Sequence, residues 1–309
     1  MKLILLALLL FSTTLTAAAQ VQSVNAPSLP VVGVNRPAEV PAGYLITPYG
    51  YIHPSCVKEL ATGDTLQANG TMLHPDGTIA PAAAACAYKS FMVTPRQRDP
   101  QINGWVEDID ATTGTAYGKL VSTWTVPAAP TSNDGQTIYF FPGFQTRNND
   151  PIISIVQPVL GWYSGSWTIA SWNCCISGIV YHSPQLVVQP GHILNGQITS
   201  NCVAGKTYCA TWNVITKDTT NNTTTTLSTT PADGQVWNWT FGAVLEAYGV
   251  VRCTDYPATT SLTFSTNVYD DNFKLIVRPG WADQLDTNSL PRCNYNQTIL
   301  SNSVLKLSY

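Results

Sequence analysis

From Trp105 onward the sequence is a succession of short apolar or alternating runs, each closed by a turn signal. This pattern restricts the chain to an all-β fold. The runs fall at 117–126, 136–142, 152–160, 166–173, 185–189, 193–199, 208–216, 237–247 and 261–268. Between them stand Ser132-Asn-Asp-Gly135, Arg147-Asn-Asn-Asp-Pro151, Gln189-Pro-Gly191, Asp218 to Thr226 and Ala232-Asp-Gly234. Gly, Pro, Asn and Asp in such clusters set tight turns. No segment between the runs carries the apolar period of an amphipathic helix. Many strands at short spacing predict an antiparallel β-sandwich, and no internal repeat is visible. Thr, Ser, Asn, Val and Tyr dominate the middle of the chain, a usage that favours strands.

The N-terminus predicts export. Lys2 supplies a positive start, Leu3 to Phe11 a short apolar run, and Ala17-Ala18-Ala19 a small-residue cleavage site. These three parts make a signal peptide over residues 1–19. The apolar run is short of the roughly 20 residues that span a bilayer, and no later stretch reaches that length. Removing Lys2 leaves 14 basic residues against 18 acidic ones, a net charge of −4. Only 11% of the residues are charged and there is no basic patch, so nucleic acid is not an expected partner. The mature protein is expected to be secreted, without stable membrane insertion, and a monomer.

Eight cysteines in an exported chain predict disulfides. Position suggests a Cys56–Cys86 pair in an N-terminal module and a short Cys202–Cys209 loop, with Cys253–Cys293 tying down the C-terminal tail. Adjacent Cys174 and Cys175 are left without an assignment. No CxxC or CxxH spacing of a zinc site occurs, and the four histidines (His53, His74, His182 and His192) do not sit at ligand spacing. Asn-x-Ser/Thr triplets begin at Asn69, Asn221, Asn222, Asn238 and Asn296, which makes glycosylation possible in a host that has the machinery.

The organisation follows from punctuation. Residues 20–43, rich in Pro, Val and Ala, read as a linker or pro-segment. Residues 44–94 form a small module of short strands between Thr47-Pro-Tyr-Gly-Tyr, Ala61-Thr-Gly-Asp and His74-Pro-Asp-Gly-Thr turns. This module is a candidate propeptide. Residues 95–104 read as a second linker, in which Arg96-Gln-Arg98 is a candidate processing point or a solvated loop. The sandwich then occupies 105–309.

Chemistry is sparse. There is no Gly-x-Ser-x-Gly elbow, since Gly161-Trp-Tyr-Ser-Gly165 puts the serine one place late. Two strand segments stand out instead. Ile152-Ile-Ser-Ile-Val-Gln-Pro-Val-Leu160 sets an amide, Gln157, in an apolar strand. Trp237-Asn-Trp-Thr-Phe-Gly-Ala-Val-Leu-Glu-Ala-Tyr-Gly249 sets a carboxylate, Glu246, in another, on the face shared by Val244 and Tyr248. A carboxylate in apolar surroundings has a raised pKa and serves as general acid or base. An amide beside it can hold a water and stabilise an oxyanion. Each residue alone also fits a structural role: Gln157 as a hydrogen-bonded core amide, Glu246 as the partner of Arg252.

The order of segments resembles the eqolisin-type glutamic peptidases. Ser122-Thr-Trp-Thr-Val-Pro127 is similar to that family's Ser-x-Trp-x-Val-Pro strand, and Gln136 to Gln145 stands where it has Trp-Val-Gly-Ile-Asp-Gly. Ile155-Val-Gln-Pro158 resembles its Ile-Leu-Gln-Thr-Gly strand and Ile169-Ala-Ser-Trp172 its Trp-containing strand. Pro190-Gly-His-Ile193 resembles its Gly-Asp-x-Ile turn, and Thr211 to Thr226 its Asn/Thr hairpin. Val244-Leu-Glu246 resembles Ile-Val-Glu, and Phe264-Ser-Thr-Asn267 the closing strand. The neprosin group is similar but has a glutamate at the Gln157 position. Phe141-Pro-Gly143 and Ser171 replace two acidic residues of the family pattern.

The resemblance, over about residues 117–268, implies a concanavalin-like sandwich and an endopeptidase acting on polypeptides at acidic pH, with no metal or cofactor. Glu246 and Gln157 take the catalytic positions, and Trp124, Trp162 and Trp172 are candidate groove walls. A second reading is a non-catalytic, carbohydrate-binding sandwich, which nine Trp and fourteen Tyr would suit. A third is a glycosidase pairing Glu246 with Glu107, Asp108 or Asp110. Gln157 and Glu246 facing each other within a few ångström across an open groove would favour the peptidase; either of them pointing into a closed core would count against it.

Overall fold

A computed structural model describes residues 26–33, 36–91, 102–112, 114–146, 154–285 and 291–309. The signal segment 1–19, the first part of the 20–43 linker and the Arg96-Gln-Arg98 point lie outside the described residues. Among the described residues no helix is long and apolar enough to cross a membrane.

Six short strands come first: β1 (Leu45–Thr47), β2 (Gly50–Ile52), β3 (Val57–Glu59), β4 (Thr65–Leu66), β5 (Met72–Leu73) and β6 (Ile79–Ala80). Mostly longer ones follow as β7 (Ile102–Ala111), β8 (Tyr117–Thr125), β9 (Thr137–Gln145), β10 (Ile155–Tyr163), β11 (Ser166–Ile176), β12 (Ile179–His182), β13 (Leu186–Val188), β14 (Ile193–Ser200), β15 (Trp212–Asp218), β16 (Thr223–Thr229), β17 (Trp239–Val250) and β18 (Ser261–Asp270). The chain closes with β19 (Ala282–Leu285), β20 (Asn296–Ile299) and β21 (Val304–Ser308).

These strands form two large sheets, in the orders β19-β7-β17-β9-β10-β11-β12-β3 and β20-β21-β18-β8-β14-β15-β16-β4-β5-β6, with β13 beside β11. The expected all-β sandwich is therefore present. The N-terminal residues continue both sheets: β3 lies parallel to β12 and β4 parallel to β16. Strands β1 and β2 form a separate hairpin.

Alternation accounts for the layers. Phe140, Leu160, Leu245 and Ala247 pack with Trp124 and Leu194 into the space between the sheets. The other side chains of the same strands, among them Tyr139, Val159, Val244 and Tyr248, pack with Ile46, Tyr49 and Tyr51 of the N-terminal residues. The first sheet is thus buried on both faces, which explains its near-continuous apolar runs. The sheets approach closely at Gly196. A Cβ there would lie 2.6 Å from Pro158 Cγ and 2.9 Å from Trp124 Cη2. Gly196→Ala is expected to lower stability by about 1–3 kcal/mol through overpacking. An unchanged urea midpoint would show that the sheets can part there.

Several boundaries differ from expectation, three of them for a visible reason. Strand β7 begins inside the segment read as a linker, because Ile102–Ala111 finds a long partner in β17, with bulges that absorb the register shifts. The turn read over Asp218 to Thr226 ends at Asn222. There the Asp218 carboxylate accepts from the Thr220 and Asn221 amides, and Asn222 takes a φ of 56°. The following threonines are β-branched and continue as β16. The run read over 208–216 starts at Trp212, since Cys202–Cys209 holds the preceding residues in a loop.

Cys56–Cys86, Cys202–Cys209 and Cys253–Cys293 are joined, and Cys174 bonds its neighbour Cys175.

Candidate active site

Glu246 stands near the middle of β17, in register with Tyr139 of β9 on one side and Trp105 of β7 on the other. Its side chain points away from the inter-sheet core and is 1% exposed. The Tyr248 hydroxyl donates to Oε1; Oε2 has no hydrogen bond of normal geometry, although the Trp105 side chain is near enough to act on the carboxyl. Burial pushes the carboxyl pKa up to about 8, against a smaller lowering by the Tyr248 hydroxyl and the neighbouring Trp105. Burial likewise holds the Tyr49, Tyr139 and Tyr248 hydroxyls protonated, and the charge of Glu246 adds to this. Arg252 does not meet Glu246. It pairs with Asp134 and Asp255.

Gln157 lies on β10 in register with Trp172 of β11. It is completely buried, and neither amide atom has a partner. Its Cγ lies 3.2 Å from where a Cβ of Gly143 would be, closer than ordinary contact, so glycine at that position of β9 gives the side chain room. Paired positions between β9 and β10 stop at Val156↔Phe144 and resume at Leu160↔Phe140. Pro142 and Pro158 lie in this gap, and neither can donate to a ladder. The amide therefore sits where the sheet's own hydrogen bonding is interrupted.

Strand alternation puts Gln157 and Glu246 on one face of one sheet, two strands apart; Tyr139 of β9 is in register with both Glu246 and Gly161, so Gln157 lies four residues along β10 from the position opposite Glu246. Trp172 shares that face and packs against His182, with ring centroids 4.7 Å apart. Trp124 and Trp162 lie on the opposite face, in the inter-sheet core, where they pack against Phe264 and Trp167. Of the three tryptophans only Trp172 remains a candidate wall. Ser171 also points inward, its hydroxyl 2.9 Å from that of Thr216.

The face carrying Gln157 and Glu246 is not an open groove, because the β1–β2 hairpin covers it. The Tyr139 hydroxyl donates to the Ile46 carbonyl at 2.9 Å, and the Tyr49 hydroxyl donates to the Ile155 carbonyl at 2.8 Å. The Tyr51 ring packs edge-on against Tyr248, centroids 5.3 Å apart.

In fold, the chain is similar to glutamic peptidases of the eqolisin family. Scytalido-glutamic peptidase with a peptide-based transition-state analogue superposes with a TM-score of 0.46 at 13% identity, covering 67% of this chain and 98% of that one. The same peptidase with a transition-state analogue inhibitor gives 0.45 at 12% identity and the same coverage. SCP-B, a member of the eqolisin family of peptidases in complex with the tripeptide Ala-Ile-His, gives 0.44 at 13% identity, again covering 67% and 98%. No family model and no curated protein matches the sequence.

The acids on β7 have separate settings. Asp110 accepts from the Trp239 indole at 2.6 Å, and Asp108 is raised by burial and by the charge of Asp110. Glu107 belongs to the inter-sheet side, near Tyr256, Tyr295 and Tyr309. Among the described residues no cluster of His, Cys, Asp and Glu could hold a metal ion. The tyrosines around Glu246 were not singled out in the sequence. Only Tyr248 carried a signal there, through its two-residue spacing from Glu246.

Proposed function

We propose that this chain is a secreted glutamic-type endopeptidase acting on polypeptides in acid. Glu246 takes a proton from a water as that water attacks the scissile carbonyl, then returns it to the leaving amine. Gln157 orients the water and donates to the tetrahedral oxyanion. The observation that carries this reading is the pair of uncompensated polar groups. A buried carboxyl with one bare oxygen and a buried amide with no partner share one sheet face; Glu107 is as uncompensated but lies apart from them, on the inter-sheet side. The ordered resemblance of the surrounding segments to the eqolisin pattern supports the same assignment. Tyr248 supplies a donor to Glu246 in a chain that lacks the acidic residue of Trp-Val-Gly-Ile-Asp-Gly. With water and substrate in place of the hairpin, Glu246 returns toward the ordinary carboxylate range and acts as a base in mild acid.

A carbohydrate-binding role fits the surface less well. Each of the nine tryptophans is buried or half-buried, so none offers an open stacking platform.

The residues before β7 are proposed to be a pro-segment. The test is hydrolysis of denatured protein at pH 2–7 by secreted material. Gln157→Ala is expected to slow it by roughly 10²–10³-fold, the worth of one oxyanion donor. Unchanged cleavage would remove Gln157 from the mechanism.

A further inference from the structure

We propose that Asp108 and Asp110 of β7, together with the Trp105 and Trp239 rings, form a subsite for a basic side chain of a bound polypeptide. This names a substrate class for the peptidase reading and rests on that reading only for the bond that is cut; the subsite itself does not.

A plain alternation along β7 would set Trp105 with Glu107 and put the two aspartates on the other face. The register shift against β17 between Leu245 and Glu246 changes this, with Val106 as the extra residue. Beyond it Asp108 is in register with Val244 and Asp110 with Phe241, on the face of Trp105 and Glu246. Phe241 packs against two indoles, its ring centroid 4.6 Å from that of Trp105 and 4.9 Å from that of Trp239. The Trp239 indole N–H donates to Asp110 at 2.6 Å and fixes that carboxylate beside the rings. Val244 is two residues from Glu246, so Asp108 stands about 7 Å along the sheet from the candidate base, the span of two residues of an extended peptide. Trp105, Trp239 and Asp110 are half-buried, and β19 beyond them is exposed along its length. This end of the face meets solvent in the intact chain.

The two aspartates lack a counter-charge. Asp108 is 6% exposed, and among the described residues its carboxylate accepts no hydrogen bond. Among the same residues no Lys, Arg or His pairs with either acid. Buried acids are normally paired or hydrogen-bonded. Burial, and then the charge of Asp110, hold the Asp108 carboxyl well above the ordinary carboxylate range. A cation beside both opposes that repulsion and draws the carboxyls to their charged form.

The neighbours decide which cation fits. Calcium takes about six to eight oxygen ligands, and two carboxylates among aromatic rings do not supply them. Indole faces attract ammonium and guanidinium groups, and a guanidinium can also fork onto a carboxylate. Neither ring offers the open platform that a sugar needs, but a single cation needs only part of one ring face. An Arg or Lys side chain a few residues from the scissile bond meets these conditions.

Peptide binding to the intact protein at pH 7, followed by calorimetry, tests this against a neutral isostere. The probes are acetyl-Ala-Arg-Ala-amide and the same peptide with citrulline in place of arginine. The arginine peptide is expected to bind about tenfold more tightly. The Asp108→Asn/Asp110→Asn variant should bring that ratio near one, with its melting curve showing that it is folded. Asp283→Asn removes an exposed acid of β19, in register with Ile109, and should keep the ratio. Equal affinity of the wild type for both peptides, no binding of the arginine peptide at millimolar concentration, or an unchanged ratio in the folded double variant overturns the subsite. Cleavage is not read in this experiment, so the two readings fail separately. A preference for arginine in a protein that cuts nothing supports the subsite and counts against the peptidase alone. Cleavage of denatured protein without that preference does the reverse.

Discussion

Glu107→Gln is expected to stabilise the protein at pH 8 by on the order of 4 kcal/mol and to change it little at pH 4. Glu107 is 1% exposed, and its carboxyl faces the C-terminal strands and Tyr309. Burial raises its pKa to about 8; the backbone N–H groups of Asn296 and Ser308 draw it back only in part, and neither carboxylate oxygen has a hydrogen bond of normal geometry. The unfolded chain ionises this group near 4.5, whereas the folded chain keeps it neutral to about 8. Between those values the folded state binds the extra proton, so stability falls as pH rises, by up to about 1.4 kcal/mol per unit. Below 4.5 both states are protonated and the stability from this group is fully present. Glutamine cannot ionise and removes the slope. In a domain of this size the change corresponds to a Tm difference on the order of 10 °C at pH 8. Melting the variant and the wild type at pH 4 and pH 8 measures it. Parallel Tm–pH lines would show that Glu107 is solvated in the native protein.

Glu246 was legible as a candidate because a single carboxylate in an alternating apolar run has no local reason to be there. The same alternation placed Tyr248 beside it. Gln157 was legible for the same reason, and so were the middle strands, whose period is a local property. What was hidden is non-local. Tyr49 and Ile155 meet across 106 residues of sequence, and no local pattern says that a Pro-Tyr-Gly turn will settle on a distant sheet. Trp124 and Trp162 illustrate the same limit. Their strands were foreseen, but the choice of face belongs to the register and to the partner sheet, so two of three proposed groove walls lie in the core. The C-terminal strands escaped because they are short edge elements, held by pairing with β18 and β7 rather than by a strong period.

Glu246→Gln should move stability and activity in opposite directions, and this separates a working carboxyl from a merely buried one. Like Glu107, Glu246 has a pKa raised to about 8 by burial, so its replacement should remove a second stretch of stability loss between pH 4.5 and 8, again on the order of 4 kcal/mol. The amide can still accept from Tyr248, which keeps the local geometry. It cannot take a proton from water. Loss of the general base is expected to slow hydrolysis of denatured protein by roughly 10³-fold or more. Glu107→Gln changes an acid of the same type and pKa, yet on the inter-sheet side; its hydrolysis should equal that of the wild type at acidic pH. Assaying both variants beside their melting curves at pH 4 and 8 sets the two acids against each other. Equal activity in wild type and Glu246→Gln would reduce Glu246 to the status of Glu107. A stabilised but inactive Glu246→Gln beside a stabilised and active Glu107→Gln would mean that this protein folds in spite of both uncompensated acids and uses only Glu246 for chemistry.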